Sequence, residues 1–135
     1  TGKDISIECF REKKKLEILV ADDYRTTREL VRQLLVDKDV RIDEASNGRQ
    51  ALELAENTDY GLILMDCNMP EIDGIEVTKQ LRGKGCLSPI IAMSAHIDPR
   101  IYNDCLAAGV DDFLRKPFKG QELEEIISKC ARQIA

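Results

Sequence analysis

From residue 16 onward the chain alternates short apolar runs with amphipathic stretches, and this rhythm limits its possible folds more than any other feature. Leu16-Glu17-Ile18-Leu19-Val20-Ala21 reads as a strand that ends at Asp22-Asp23. A helix is expected over roughly 25–38, with Leu30, Val31, Leu34 and Leu35 on one stripe. Val40-Arg41-Ile42-Asp43-Glu44-Ala45 alternates as an edge strand does. Ser46 or Asn47 can cap a helix over roughly 48–57 that carries Ala51, Leu52 and Ala55. Leu62-Ile63-Leu64-Met65 is apolar throughout and stops at Asp66, the pattern of a strand buried on both faces. Pro70, Asp73 and Gly74 mark a turn, and a helix follows to about Arg82 with Val77 and Leu81 one turn apart. Gly83-Lys84-Gly85-Cys86 reads as loop, and Pro89-Ile90-Ile91-Ala92-Met93 as a fourth strand that ends at Ser94. A helix over roughly 98–108 stops at Gly109. Val110-Asp111-Asp112-Phe113-Leu114-Arg115 is the fifth strand, ending at Lys116-Pro117. A last helix, about 120–134, aligns Leu123, Ile126, Ile127, Cys130, Ala131 and Ile134 on one face.

Strands that alternate with helices, two of them continuously apolar, imply an α/β fold with a parallel sheet covered on both faces. At 135 residues there is room for one such domain, and residues 16–135 fill it. Residues 1–15 fall outside the rhythm and read as a linker or the remnant of a preceding domain, with Ile5-Ser6-Ile7-Glu8 alternating like a leftover strand. The start Thr1-Gly2-Lys3, without Met, reads as an excised fragment.

Charge narrows the function classes. The first 15 residues carry five basic and three acidic side chains, while the remaining 120 carry 15 basic and 22 acidic. An acidic body argues against a nucleic-acid face, which needs clustered Lys and Arg. No apolar run approaches the roughly 20 residues of a membrane span. The five cysteines (Cys9, Cys67, Cys86, Cys105, Cys130) are odd in number and lack CxxC spacing. They fit neither a disulfide framework nor a zinc site, and are expected to be reduced thiols in a cytosolic protein.

The strand ends hold the chemistry. In an open parallel sheet, ligands bind outside the carboxyl ends of the strands. Here those ends offer Asp22 and Asp23, Asp66, Ser94 and Lys116. Any one of them alone would be an ordinary turn residue. Together they place three carboxylates, a hydroxyl and an ammonium on one rim. Crowded carboxylates repel, and a divalent cation relieves the repulsion. Mg²⁺ takes hard oxygen ligands, so Asp23 and Asp66, with Asp22 direct or through water, form a plausible pocket. Asp66 can then act as an oxygen nucleophile toward phosphorus, with Lys116 and Ser94 on the phosphoryl oxygens.

In order along the chain, Val20-Ala21-Asp22-Asp23, Met65-Asp66-Cys67-Asn68-Met69-Pro70 with Asp73-Gly74, Met93-Ser94-Ala95, Phe113, and Lys116-Pro117-Phe118 resemble the receiver domain of two-component response regulators. The resemblance implies a flavodoxin-like, doubly wound five-stranded parallel sheet of order 2-1-3-4-5 with five helices. It implies Asp66 as phosphoacceptor, Asp22 and Asp23 as the acidic pair, and the Asn68 backbone carbonyl as a further Mg²⁺ ligand. Ser94 matches the hydroxyl that moves on phosphorylation, Phe113 the switch aromatic, and Lys116 the phosphoryl-binding lysine, whose bond to Pro117 is typically cis. The readout face implied is the fourth helix, fifth strand and fifth helix, including Arg100, Tyr102, Asn103, Asp111 and Lys119. Asn68 and His96 are placed at the pocket mouth, where they are expected to tune phospho-lifetime. Cys67 and Met69 read as packing residues.

The arrangement also resembles the C-terminal receiver of a hybrid sensor histidine kinase, with Thr1–Phe10 faintly like the last strand of a kinase ATP-binding domain. The partner is then a histidine kinase or a histidine phosphotransfer domain, the location is cytoplasmic, and any membrane link is indirect. Two rivals are an interaction module without phosphorylation and an aspartyl-nucleophile phosphohydrolase. The hydrolase would want a second Asp where Asn68 stands. A nucleotide-binding loop is disfavoured because Gly83-x-Gly85 lacks its third glycine and no Walker motif occurs.

Overall fold

The computed structural model describes residues 15–134 and contains β1 (Leu16–Ala21), α1 (Arg25–Leu34), β2 (Val40–Ala45), α2 (Gly48–Asn57), β3 (Leu62–Asp66), α3 (Gly74–Gly83), β4 (Ile90–Ser94), α4 (Pro99–Ala108), β5 (Asp112–Arg115) and α5 (Gly120–Ile134). The alternating segment at Ile5–Glu8 lies outside the described residues. The strands are all parallel, in the order β2-β1-β3-β4-β5. This is the doubly wound sheet the sequence pattern and the family resemblance imply.

Strand alternation divides the core into two layers. Leu19, Ala21, Ile63, Met65, Ile90 and Ala92 face one side and pack with Ala51, Val77, Leu81 and Cys105 of α2, α3 and α4. Ile18, Val20, Leu62, Leu64, Ile91 and Met93 face the other and pack with Val31, Leu123 and Ile126 of α1 and α5. Every residue of β3 and β4 is buried, because these central strands have helices on both faces. Helices α2, α3 and α4 begin at side-chain caps: Asn47 accepts from the Gln50 amide, Asp73 from Glu76, and Asp98 from Ile101. Helix α4 ends at Gly109, whose φ of 110° suits glycine.

Three boundaries differ from the sequence reading. Helix α1 stops at Leu34 rather than near residue 38. Its apolar stripe runs out at buried Leu35, Val36 is 75% exposed, and the chain turns to enter β2. Gly83 closes α3 instead of opening a loop. Strand β5 starts at Asp112, not Val110. Val110 is a buried plug, and Asp111 is engaged with its neighbours: its amide donates to the Ile90 carbonyl, and its carboxylate accepts from the Ile90 amide and from Arg82. Asp111 therefore braces the start of β4 and is a structural member of the face assigned to readout. Arg82 completes that brace by donating to the carbonyls of Gly109, Cys86 and Ser88.

Gly74 sets how closely α3 approaches the end of β3. A Cβ at this position would press into the Asp66 carbonyl and the Met65 side chain. Gly83, on the same helix, has open space around it. Gly74→Ala is therefore expected to lower unfolding free energy by about 1–3 kcal/mol through overpacking. Gly83→Ala should be neutral or stabilising by up to about 1 kcal/mol. Urea denaturation of the two variants checks the contrast.

Candidate active site at the carboxyl edge of the sheet

Parallel strands bring the ends of β1, β3, β4 and β5 to one edge. Asp22 follows β1 and is fully buried. Its amide donates to the Ala45 carbonyl at 3.0 Å, which ties it to β2. Its Oδ1 accepts from the Tyr24 amide at 2.8 Å, and its Oδ2 accepts from Lys116 Nζ at 2.5 Å. Asp66 ends β3 at 3% exposure; its Oδ1 accepts from the Asn68 amide at 3.1 Å and lies 3.4 Å from Lys116 Nζ. Asp22, Asp23 and Asp66 each offer a carboxylate oxygen within 4.8 Å of the others. Asp23 Oδ1 is buried without a hydrogen-bond partner.

Lys116 is held by its own amide, which donates to the Ser94 carbonyl at 2.9 Å, and the Lys116–Pro117 bond is cis. Ser94 ends β4 and is 1% exposed. Its Oγ donates to the His96 carbonyl at 3.0 Å and accepts from the His96 amide at 3.2 Å. Asn68 and His96 are exposed at this edge. Phe113 is half-buried and stacks on exposed Tyr102, with centroids 4.8 Å apart and planes inclined by 20°. Cys67 points away into the core, where its thiol lies 3.7 Å from that of Cys105 and burial pushes its pKa up. Met69 is buried as well.

The electrostatics follow from burial. Desolvation pushes the Asp66 carboxyl up to about 6; the Asn68 amide and Lys116 pull against this, while the Asp22 charge and Asp23 add to it. For Lys116, burial opposes the charge, but the hydrogen bond to Asp22 and the charges of Asp66 and Asp22 outweigh it and raise the pKa. Three carboxylates against one ammonium leave about two negative charges in a largely desolvated corner. Hard oxygen donors and the unpartnered Asp23 Oδ1 fit a divalent cation such as Mg²⁺.

The sequence matches the description "Response regulator receiver domain" over residues 18–128. The chain belongs to the receiver family of two-component response regulators. It is 40% identical over 107 residues to the transcriptional regulatory protein ResD of Bacillus subtilis, covering 79% of this chain and 44% of ResD. Transcriptional regulatory protein SrrA of Staphylococcus aureus is 38% identical over the same length, again with 44% of its chain covered. The chain thus spans less than half the length of these curated relatives. Among solved structures it resembles the receiver domain of sensor histidine kinase PA1611 from Pseudomonas aeruginosa, which has a magnesium ion coordinated in its active-site cleft. That match has a TM-score of 0.79 at 34% identity and covers 85% of this chain and 96% of that one. The receiver of a signal transduction histidine kinase from Syntrophus aciditrophicus is 31% identical with a TM-score of 0.79, covering 87% of this chain and 91% of the other. Among the described residues, no helix of this receiver is long and apolar enough to cross a membrane.

Two features of the receiver's site had no clear signal in the sequence. Arg28, on α1, donates to the Asp22 carbonyl. Thr26, Thr27, Leu30, Ala95, Lys116, Pro117 and Phe118 line a mostly apolar groove of about 290 Å³ beside the acidic cluster. The groove depends on α1 lying against the β5–α5 connection.

The Asp66 shift has a stability consequence. The unfolded carboxyl titrates near 3.8 and the folded one near 6, so the metal-free folded state holds its proton more tightly across that window. Stability is therefore lost as pH rises from about 4 to 6, by up to about 3 kcal/mol. Asp66→Asn should stabilise the metal-free protein at pH 7.5 and have little effect at pH 4. Thermal melts in a chelator at the two pH values measure this difference.

Proposed function

We propose that Asp66 is the phosphoacceptor of this receiver and takes a phosphoryl group from a phosphohistidine in a Mg²⁺-dependent step. The observation that carries the reading is the Asp22–Asp23–Asp66 cluster, with Asp22 and Asp66 buried and Asp23 half-buried, closed on one side by Lys116 and holding the unpartnered Asp23 Oδ1. Asp23, Asp66 and the Asn68 backbone carbonyl would hold magnesium, and Asp22 completes the acidic set. When bound, the cation neutralises the carboxylates and polarises the phosphoryl oxygens. An Asp66 oxygen attacks phosphorus in line with the P–N bond; the new P–O bond forms as P–N breaks, and the leaving imidazole takes up a proton from solvent. The Lys116 ammonium and the Ser94 hydroxyl each take a phosphoryl oxygen.

Ser94 must leave the His96 carbonyl to make that contact. Phosphorylation adds nearly two negative charges at this point, and an equilibrium between two loop arrangements shifts toward the one that binds them. Phe113 is the second element of the switch, and its stacking on Tyr102 ties it to the α4 surface. Asn68 and His96, at the mouth, control water access to the phospho-aspartate.

The donor is a histidine kinase or a histidine phosphotransfer domain. It has to bring its imidazole to the same edge, and the apolar groove beside Lys116 offers it contact area there. The receiver domain occupies residues 16–135, and residues 1–15 are a linker or the remnant of a preceding domain. The likeness to receivers of two histidine kinases supports a hybrid-kinase setting. The free thiols of Cys67, Cys86 and Cys105 suit the cytosol.

Incubation with a small phosphodonor and Mg²⁺ should add one phosphoryl group to Asp66 as a base-labile mass gain. Asp66→Asn or a chelator should abolish it, and Lys116→Ala should slow it by about 100-fold or more. Absence of label on the unmodified protein would instead indicate an interaction module. Continuous turnover of unrelated phosphate esters would indicate a hydrolase. Substitutions at Asn68 and His96 should change the lifetime of the label without changing its position.

A further inference from the structure

The peptide between the two neighbouring acids has no place in the sheet. Strand β1 ends at Ala21, and the carbonyl of Asp22 is satisfied by a side chain: Arg28 Nη1 donates to it at 2.8 Å. The same guanidinium donates through Nε to Glu44 Oε1 at 2.9 Å, and its side chain is only 15% exposed. The other Glu44 oxygen pairs with Arg32, which in turn donates to the Ile42 carbonyl at 2.9 Å. Desolvation works against the Glu44 charge, but the two arginines more than offset it and keep its pKa lowered. A chain of contacts therefore runs from β2 through Glu44 and Arg28 to the peptide that joins Asp22 to Asp23.

That peptide sets where the Asp23 side chain starts. Asp22 is locked independently by the Ala45 carbonyl, the Tyr24 amide and Lys116. Among the contacts described for it, Asp23 has no side-chain hydrogen bond on Oδ1, so its aim depends on the backbone. We propose that Arg28, braced by Glu44, is a positioning residue for the cation site: it fixes the Asp22–Asp23 peptide so that the Asp23 carboxylate converges with Asp66. The planar guanidinium is suited to this because it meets two acceptors at a fixed angle, whereas a lysine can reach only one of them well.

This inference rests on the Mg²⁺ reading given above, and the experiment separates the two. Mg²⁺ alone is titrated calorimetrically into the unphosphorylated protein and into Arg28→Gln, Arg28→Lys, Glu44→Ala and the Arg28→Gln/Glu44→Ala double variant, with Asp23→Asn as reference. Expected is a loss of affinity of about 10-fold in Arg28→Gln, the scale of a lost outer-shell partner. Arg28→Lys should recover only part of it. The double variant should be no weaker than Arg28→Gln alone, because both act through one chain of contacts. Mg²⁺ affinity within twofold of the unmodified protein in folded Arg28→Gln overturns the proposal. Should Arg28→Gln not fold, unchanged affinity in Glu44→Ala overturns it equally. If the unmodified protein binds no Mg²⁺, or Asp23→Asn binds as well as the unmodified protein, the failure lies in the cation reading itself, and the positioning role falls with it.

Discussion

Repulsion among Asp22, Asp23 and Asp66, confined to a corner where water screens them poorly, governs the arrangement of everything around them. Three carboxylates within 4.8 Å of one another are tolerated because Lys116 reaches in from the end of β5 and because backbone amides of Tyr24 and Asn68 donate to the acids. The compensation is incomplete: burial first, and the Asp22 charge after it, keep the Asp66 carboxyl raised. A site in this condition has two routes to relief, a proton or a divalent cation, and at neutral pH the proton is largely gone. In the proposed reading, the same imbalance that costs stability in the metal-free protein supplies affinity for the cation, so stability and function draw on one electrostatic source.

Lys116 is closer to Asp22 than to Asp66, at 2.5 Å against 3.4 Å. Its position is set by the bond from its own amide to the Ser94 carbonyl. One hydrogen bond thus couples the two groups assigned to the phosphoryl oxygens. The Ser94 hydroxyl is occupied with the backbone of His96, whose side chain is exposed. In the proposed mechanism, movement of Ser94 toward the phosphoryl group and rearrangement of the loop after β4 are for this reason one event. Phe113 is linked to that event through the sheet, since β4 and β5 pair at Ala92 and Phe113 and at Ser94 and Arg115.

Much of this was legible before any coordinates. The apolar runs at Leu62–Met65 and Ile90–Met93 marked the central strands because burial on both faces leaves no polar position in the run. The five side chains at the strand ends could be grouped because a parallel sheet sends all its carboxyl ends to one edge. The end of α1 and the start of β5 were placed a few residues off. Those boundaries depend on where a turn must redirect the chain and on Asp111 bonding to Ile90, and local periodicity carries neither.

The sequence by itself determined the layer architecture and which residues share the reactive edge, because hydrophobic periodicity and strand polarity are local properties. Tertiary structure alone decided which acid pairs with the lysine, that Asp23 keeps an unmatched oxygen, and that Arg28, held by Glu44, reaches the peptide between the acids. Those outcomes depend on distances between residues up to 94 positions apart in the chain, and only packing of the helices against the sheet fixes them.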